Sequence, residues 1–219
     1  MQTPTIYYLV RRLSIVPVCI QSIILMRDSE VRRAFHETVL KLAHAADDTI
    51  VVDELGLKNG IVRADIAVLN GKMIGYEIKT ERDTLKRLPA QILAYSEVFD
   101  QVFIITSSNH IKRVEAMVPK WWGIFEIVEE SECQFSFSCY RKAGKNLSQN
   151  TYTLAQLLWK AEALEVVNKF VQSEVTRSAS KKEIYKIISS GCPASELSNI
   201  VMGYLKKRDN WRVNRSSPL

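Results

Sequence analysis

Three histidines and four cysteines in 219 residues leave little material for soft-metal chemistry. Cys19, Cys133, Cys139 and Cys192 are scattered, form no C-x-x-C pair and have no histidine at zinc-ligand spacing. That argues against a disulfide framework and a structural zinc site, and for free thiols in a reducing cytosol. Long apolar runs are also scarce. The segment "LVRRLSIVPVCIQSIILM" resembles a short signal sequence, with two arginines before an apolar stretch. However, Pro17 and Gln21 interrupt it, no small-residue cleavage site follows, and it is too short to cross a bilayer comfortably. No membrane partner is expected, and the folded domain is expected to begin near Met26, with residues 1–25 as an N-terminal extension. The chain shows no internal repeat and no low-complexity tract.

What is present is ordinary for a globular protein: 47% apolar and 25% charged residues, in a chain long enough for one full core and a small appended module. The charge is uneven. Residues 141–219 hold 14 Lys/Arg against 6 Asp/Glu, net +8, whereas residues 1–140 hold 16 against 18, net −2. A basic C-terminal third on a near-neutral body suits a polyanion.

Apolar periodicity predicts a helix over 28–46 with Val31, Phe35, Thr38, Val39 and Leu42 as its stripe. "TIVVDEL" (49–55) reads as a strand, "GLKNG" (56–60) as a turn, and "IVRADIAVL" and "KMIGYEIKT" as strands around Asn70-Gly71. A helix from Asp83 to Phe99, a strand over 101–107, a short helix before Pro119 and a final hairpin follow. That is an α/β layout with a mixed sheet, expected to occupy residues 26–146. Residues 147–219 read as a helical, basic C-terminal region, with helices over 153–171, 181–189 and 194–207. Its last two helices flank a Gly-containing turn, which suits a helix-turn-helix or a small bundle packed on the sheet.

The strand pair carries Asp65, Glu77 and Lys79, and charges seldom sit in a half-buried sheet unless paired or metal-bound. A two-residue Asn-Gly turn would pair Leu69 with Lys72 and separate Asp65 from Glu77 and Lys79. A three-residue connection with Gly71 in the left-handed position pairs Val68 with Lys72 and Asp65 with Gly75. Val62, Ile66, Val68, Ile74, Tyr76 and Ile78 then share one face, and Asp65, Glu77 and Lys79 share the other beside Gly75. The apolar pattern selects this register. Two carboxylates brought together call for a cation, and oxygen ligands suit Mg²⁺ or Mn²⁺.

Asp65, an eleven-residue gap and then Glu77-Ile78-Lys79 resembles the D…(E/D)-x-K signature of the PD-(D/E)XK nuclease superfamily. "QILAY", with Gln91 and Tyr95 four apart, is similar to the Q-x-x-x-Y motif of its RecB- and Cas4-like members. The resemblance implies a restriction-endonuclease-like core of helix, three strands, helix and strand, with a helical C-terminal extension. It implies a Mg²⁺- or Mn²⁺-dependent deoxyribonuclease in which Asp65, Glu77 and the Ile78 carbonyl bind metal and Lys79 assists the attacking water. Gln91 and Tyr95 would brace the site, and Glu54 and Glu37 are further candidate acids. The leading proline of the signature is replaced by Ala64. Arg63, Arg82, Lys86 and Arg87 are candidate phosphate contacts. DNA is the expected partner, with RNA open, and a homodimer is possible. His36, His44 and His110 show no sequence partners. Plainer readings stay open: a structural Asp65–Lys79 ion pair, Gln91 and Tyr95 as packing, Trp121 and Trp122 as core, and a non-catalytic binding module on the same fold.

Overall fold

A computed structural model describes residues 27–131 and 134–208. The expected extension over residues 1–25 lies outside them, as do Cys19, Cys133 and the basic end beyond Arg208. The chain runs α1 (Asp28–Glu37), α2 (Lys41–Ala45), β1 (Ile50–Leu57), β2 (Val62–Leu69), β3 (Met73–Lys79), α3 (Leu88–Ser96), β4 (Gln101–Ser107) and α4 (Ile111–Met117). Then come β5 (Gly123–Ser131), β6 (Gln134–Arg141), α5 (Thr151–Ala155), α6 (Lys160–Val166), α7 (Lys181–Gly191) and α8 (Ala194–Lys206). The six strands form one mixed sheet in the order β1-β2-β3-β4-β5-β6. β3, β4 and β5 are parallel neighbours, and the other pairs are antiparallel. Parallel neighbours need a crossover, and α3 and α4 supply the two.

Each face of the sheet buries its own apolar layer. On one, Val31 and Phe35 of α1 meet Ile66, Val68, Ile78 and Ile105. Phe35, Tyr76, Phe103, Phe125 and Phe137 add a chain of ring contacts there, with centroids 5.1–5.6 Å apart. On the other face α3, α4 and the C-terminal helices share a single cluster, from Leu88, Tyr95 and Val114 to Leu154, Ile184 and Leu197. The C-terminal helices therefore pack on the sheet's own core. Trp122 is buried in that layer.

Three expected helices take a different form. The span 28–46 breaks after Glu37, where the Thr38 hydroxyl donates to the Ala34 carbonyl, and Leu42 is left 83% exposed. Asp83 caps no helix. Its carboxylate closes a turn by accepting from the Thr80 amide and hydroxyl, and α3 begins only at Leu88, next to Pro89. The span 153–171 divides because Trp159 has extended backbone and its N–H is held by the Glu162 carboxylate, which starts α6 afresh.

The β2–β3 hairpin closes through Asn70-Gly71-Lys72, with Leu69 opposite Met73 and Ile66 opposite Tyr76. This is two residues from the expected register. A two-residue slip preserves faces, so the sorting of side chains survives, and continuing the ladder sets Asp65 across from Glu77 instead of Gly75. Gly71 has the expected positive φ of 61°.

A second departure lies at Glu54 and Asp65. Val51 belongs to the α1 layer and Val52 to the opposite layer, yet Leu55 and Leu57 both join Val52. In β2, Ile66 faces α1 whereas Ala64 and Val62 belong with the α3 layer. Both strands thus change phase at one point. Glu54 has φ 58°, and the ladder passes from Asp53–Ile66 to Leu55–Ala64 without a Glu54–Asp65 pair. Val62 therefore leaves the face the alternation assigned it.

Gly75 lets Phe99, just past the end of α3, sit against the sheet. A Cβ there would lie 2.5 Å from the Phe99 ring, so Gly75→Ala should destabilise the fold by about 1–3 kcal/mol through overpacking. Urea unfolding checks this, and an unchanged midpoint would contradict the close approach.

Candidate functional site

The phase change frees the main chain of Asp65 from β1, and two side chains take it up. The Asp65 amide donates to the Tyr95 hydroxyl at 3.1 Å, and Arg32 Nη1 donates to the Asp65 carbonyl at 3.2 Å. Buried main-chain groups need such partners. The Asp65 carboxylate turns toward β3, where its Oδ2 accepts from the Ile78 amide at 2.8 Å.

Glu77 stands at the centre. Its side chain has no solvent exposure. Lys79 Nζ and Gln91 Nε2 donate to its Oε1, and the Tyr95 hydroxyl donates to its Oε2. Gln91 and Tyr95 reach it together because four residues make about one helical turn of α3. The five expected residues, Asp65, Glu77, Lys79, Gln91 and Tyr95, therefore form one connected network on the α3 side of the sheet. The Gln91 amide oxygen is buried and has no partner among the described residues.

Arg32 of α1 joins this network although no motif marks it. It pairs with Glu54 at 2.7 Å, with Asp28 at 3.0 Å and with Asp65 at 3.5 Å. Burial works against its charge, but these three acids more than offset that and raise its pKa. The Asp28-to-Arg32 spacing of four is the one sequence signal of this contact. Glu54, a candidate acid, does lie beside Asp65, held by Arg32 and by Arg63 at 3.6 Å. Glu37 does not: it is exposed at the end of α1 and, among the described residues, joins none of these bonds. Arg63 is 62% exposed, and Arg82, Lys86 and Arg87 are exposed between β3 and α3.

Two of the histidines have partners after all. His36 is buried, with Nδ1 2.9 Å from His44 Nε2 and Nε2 3.0 Å from Asp53 Oδ1. Asp53 is the last residue before the phase change, so this chain lies on the α1 side. Long-range pairing of this kind leaves no local pattern in a sequence.

Burial first, and then the negative charge of Glu77, push the Asp65 carboxyl up to about 8. Burial likewise raises Glu77, against the opposing pull of Lys79. Among the described residues no group of three or more His, Cys, Asp and Glu side chains is arranged to hold a metal ion. The smaller set of two carboxylates and the Ile78 carbonyl fits a hard divalent cation in ligand chemistry. A carboxyl held neutral by burial and by its neighbour's charge is relieved by such a cation, and the partnerless Gln91 oxygen adds an acceptor nearby.

With these residues in place, the relatives add context. The family described as Bacteriophage P4 protein cII matches residues 25–215, and the chain belongs to that family. It is 28% identical over 146 residues to Protein cII of Enterobacteria phage P4, covering 67% of this chain and 54% of that protein. The chain thus spans about half the length of the curated relative it matches. A solved protein of unknown function from Silicibacter pomeroyi is similar over 61% of this chain and 90% of its own, at 16% identity and a TM-score of 0.36. Among the described residues no helix is long and apolar enough to cross a membrane.

The raised Asp65 pKa has a stability consequence for metal-free protein. Between the unfolded value near ~4 and the folded value of about 8, the folded state binds more protons than the unfolded state. The Asp65 contribution is therefore full at the acid end and is lost as pH rises through about 8. In EDTA, Asp65→Asn should gain on the wild type as pH rises across this window. Urea melts across that range check it, and a pH-independent difference would contradict the assignment.

Proposed function

We propose that this member of the Bacteriophage P4 protein cII family is a metal-dependent deoxyribonuclease with a restriction-endonuclease-like core. The observation that carries the reading is the convergence of Lys79, Gln91 and Tyr95 on the buried Glu77 carboxylate, with Asp65 tied in through the Tyr95 hydroxyl. The helix, three strands, helix and strand from α1 to β4, interrupted by the short α2 and two single-turn 3₁₀ segments, support it. So does the resemblance of these residues to the D…(E/D)-x-K and Q-x-x-x-Y signatures.

Asp65, Glu77 and the Ile78 carbonyl would hold Mg²⁺ or Mn²⁺. Such a cation supplies charge stabilisation to a phosphodiester under attack. Lys79 Nζ, fixed by Glu77, would orient the attacking water. Tyr95 ties the Asp65 main chain to Glu77, and Gln91 holds the other Glu77 oxygen, so the two carboxylates keep one arrangement. Arg32 holds Glu54 and Asp65 from the α1 side. The exposed Arg82, Lys86 and Arg87 would guide the phosphate backbone.

One observation favours a second reading, a non-catalytic DNA- or partner-binding module. Both Glu77 oxygens are already engaged, and Lys79 is itself only 4% exposed. The two readings separate in a cleavage assay with labelled single-stranded, duplex and branched DNA in Mg²⁺, Mn²⁺ or EDTA. Metal-dependent cutting that falls by about 10²-fold or more in Lys79→Ala and Asp65→Ala, with folding intact by circular dichroism, is expected. Cutting by Lys79→Ala at the wild-type rate would refute the mechanism. Salt-sensitive binding without turnover in the wild type would establish the module instead.

A further inference from the structure

A cleft of about 320 Å³ opens where the β1–β2 turn meets the junction of α5 and α6. Its lining includes Gly56, Asn59, Gly60, Trp159, Lys181 and Arg208. The volume sits at the small end of the roughly 300–1,000 Å³ usual for ligand clefts, which suits a single nucleotide unit. Trp159 is 59% exposed, unusual for the largest aromatic, while its own backbone is fixed by the Glu162 carboxylate. The Arg208 guanidinium lies over its ring at 4.2 Å and is anchored in turn by Glu162 and the Leu157 carbonyl. With Arg208 on one face, the indole face left in water offers a stacking surface.

The β1–β2 turn supplies the rest of the lining. Gly56 and Gly60 leave a floor without side chains. Lys58, Asn59 and Gly60 all have positive φ, at 49°, 57° and 87°. Two successive non-glycine residues in this region store backbone strain, and such strain gathers at ligand clamps. The Lys58–Glu97 ion pair at 3.0 Å ties the turn to the end of α3. Lys181, at the start of α7, brings an exposed cation to the rim.

The cleft shares β1 with Glu54. Gly56 follows Glu54 by two residues on β1, about 7 Å along a strand. Gly56 pairs with Arg63, which reaches back to Glu54.

We propose that this cleft binds an unpaired nucleobase of single-stranded DNA, stacked on Trp159 with its phosphate toward Lys181. The proposal rests on the DNA reading above for its ligand class. Stacking requires a base released from pairing, so the cleft selects single-stranded over duplex DNA.

The test is fluorescence anisotropy with fluorescein-labelled oligo(dT) and a matching duplex, in EDTA so that nothing is cut. Trp159→Ala should weaken oligo(dT) binding by about tenfold, the loss of one stacked base, whereas Trp159→Phe should stay within about threefold. Lys181→Ala should weaken binding severalfold and lower the salt slope by about one. Equal affinity of wild type and Trp159→Ala would overturn the proposal, as would a duplex preference. Cleavage by the wild type in Mg²⁺ or Mn²⁺ separates the two readings. Trp159-dependent binding in a protein that never cuts would sink the nuclease reading and spare the cleft. Cutting with oligo(dT) binding unaffected by Trp159→Ala would do the reverse.

Discussion

A fully buried carboxylate in a sheet is costly unless donors surround it, and Glu77 organises this fold around that requirement. Three side chains meet it, Lys79 from its own strand and Gln91 and Tyr95 from α3. Removing any of them would leave part of a charge in a dry interior, a far larger penalty than losing a surface pair. The position and rotation of α3 are thereby set by polar bonds as much as by Leu88 and Phe99. Gly75 completes the arrangement by letting the Phe99 ring sit against the sheet.

The same bonds carry the constraint into β2 and α1. Tyr95 accepts from the Asp65 amide while donating to Glu77, so one hydroxyl couples a strand irregularity to a buried charge. That irregularity lets Leu55 and Leu57 turn into the core while Asp53 stays with His36 on the other face. Arg32 fills the remaining need by binding the Asp65 carbonyl and the Glu54 carboxylate. Acids that would repel one another are thus held close by a guanidinium on one side and an ammonium on the other.

Much of this was readable from residue order. Alternation in residues 61–80 sorts Asp65, Glu77 and Lys79 from the apolar face, and a spacing of four puts Gln91 and Tyr95 on one side of a helix. The two-residue error in register left that sorting intact because strand faces repeat every two residues. What escaped has physical reasons. A glutamate with positive φ has no compositional mark, so the phase change at Glu54 and the misplacement of Val62 were invisible. Arg32 acts through residues 22 and 33 positions away, and His36 meets Asp53 across 17. The break at Trp159 depends on the Glu162 carboxylate competing for its N–H, which helical periodicity does not register.

Whether the Glu77 network is a resting metal site or a closed structural bridge is decided most directly by diffraction. Anomalous data from crystals soaked in Mn²⁺ would locate the ion without reference to turnover. The account predicts one strong peak in contact with the carboxylates of Asp65 and Glu77, with Lys79 Nζ displaced from the oxygen that the ion takes. The absence of any peak at that pair, with Lys79 still bonded to Glu77, would contradict it.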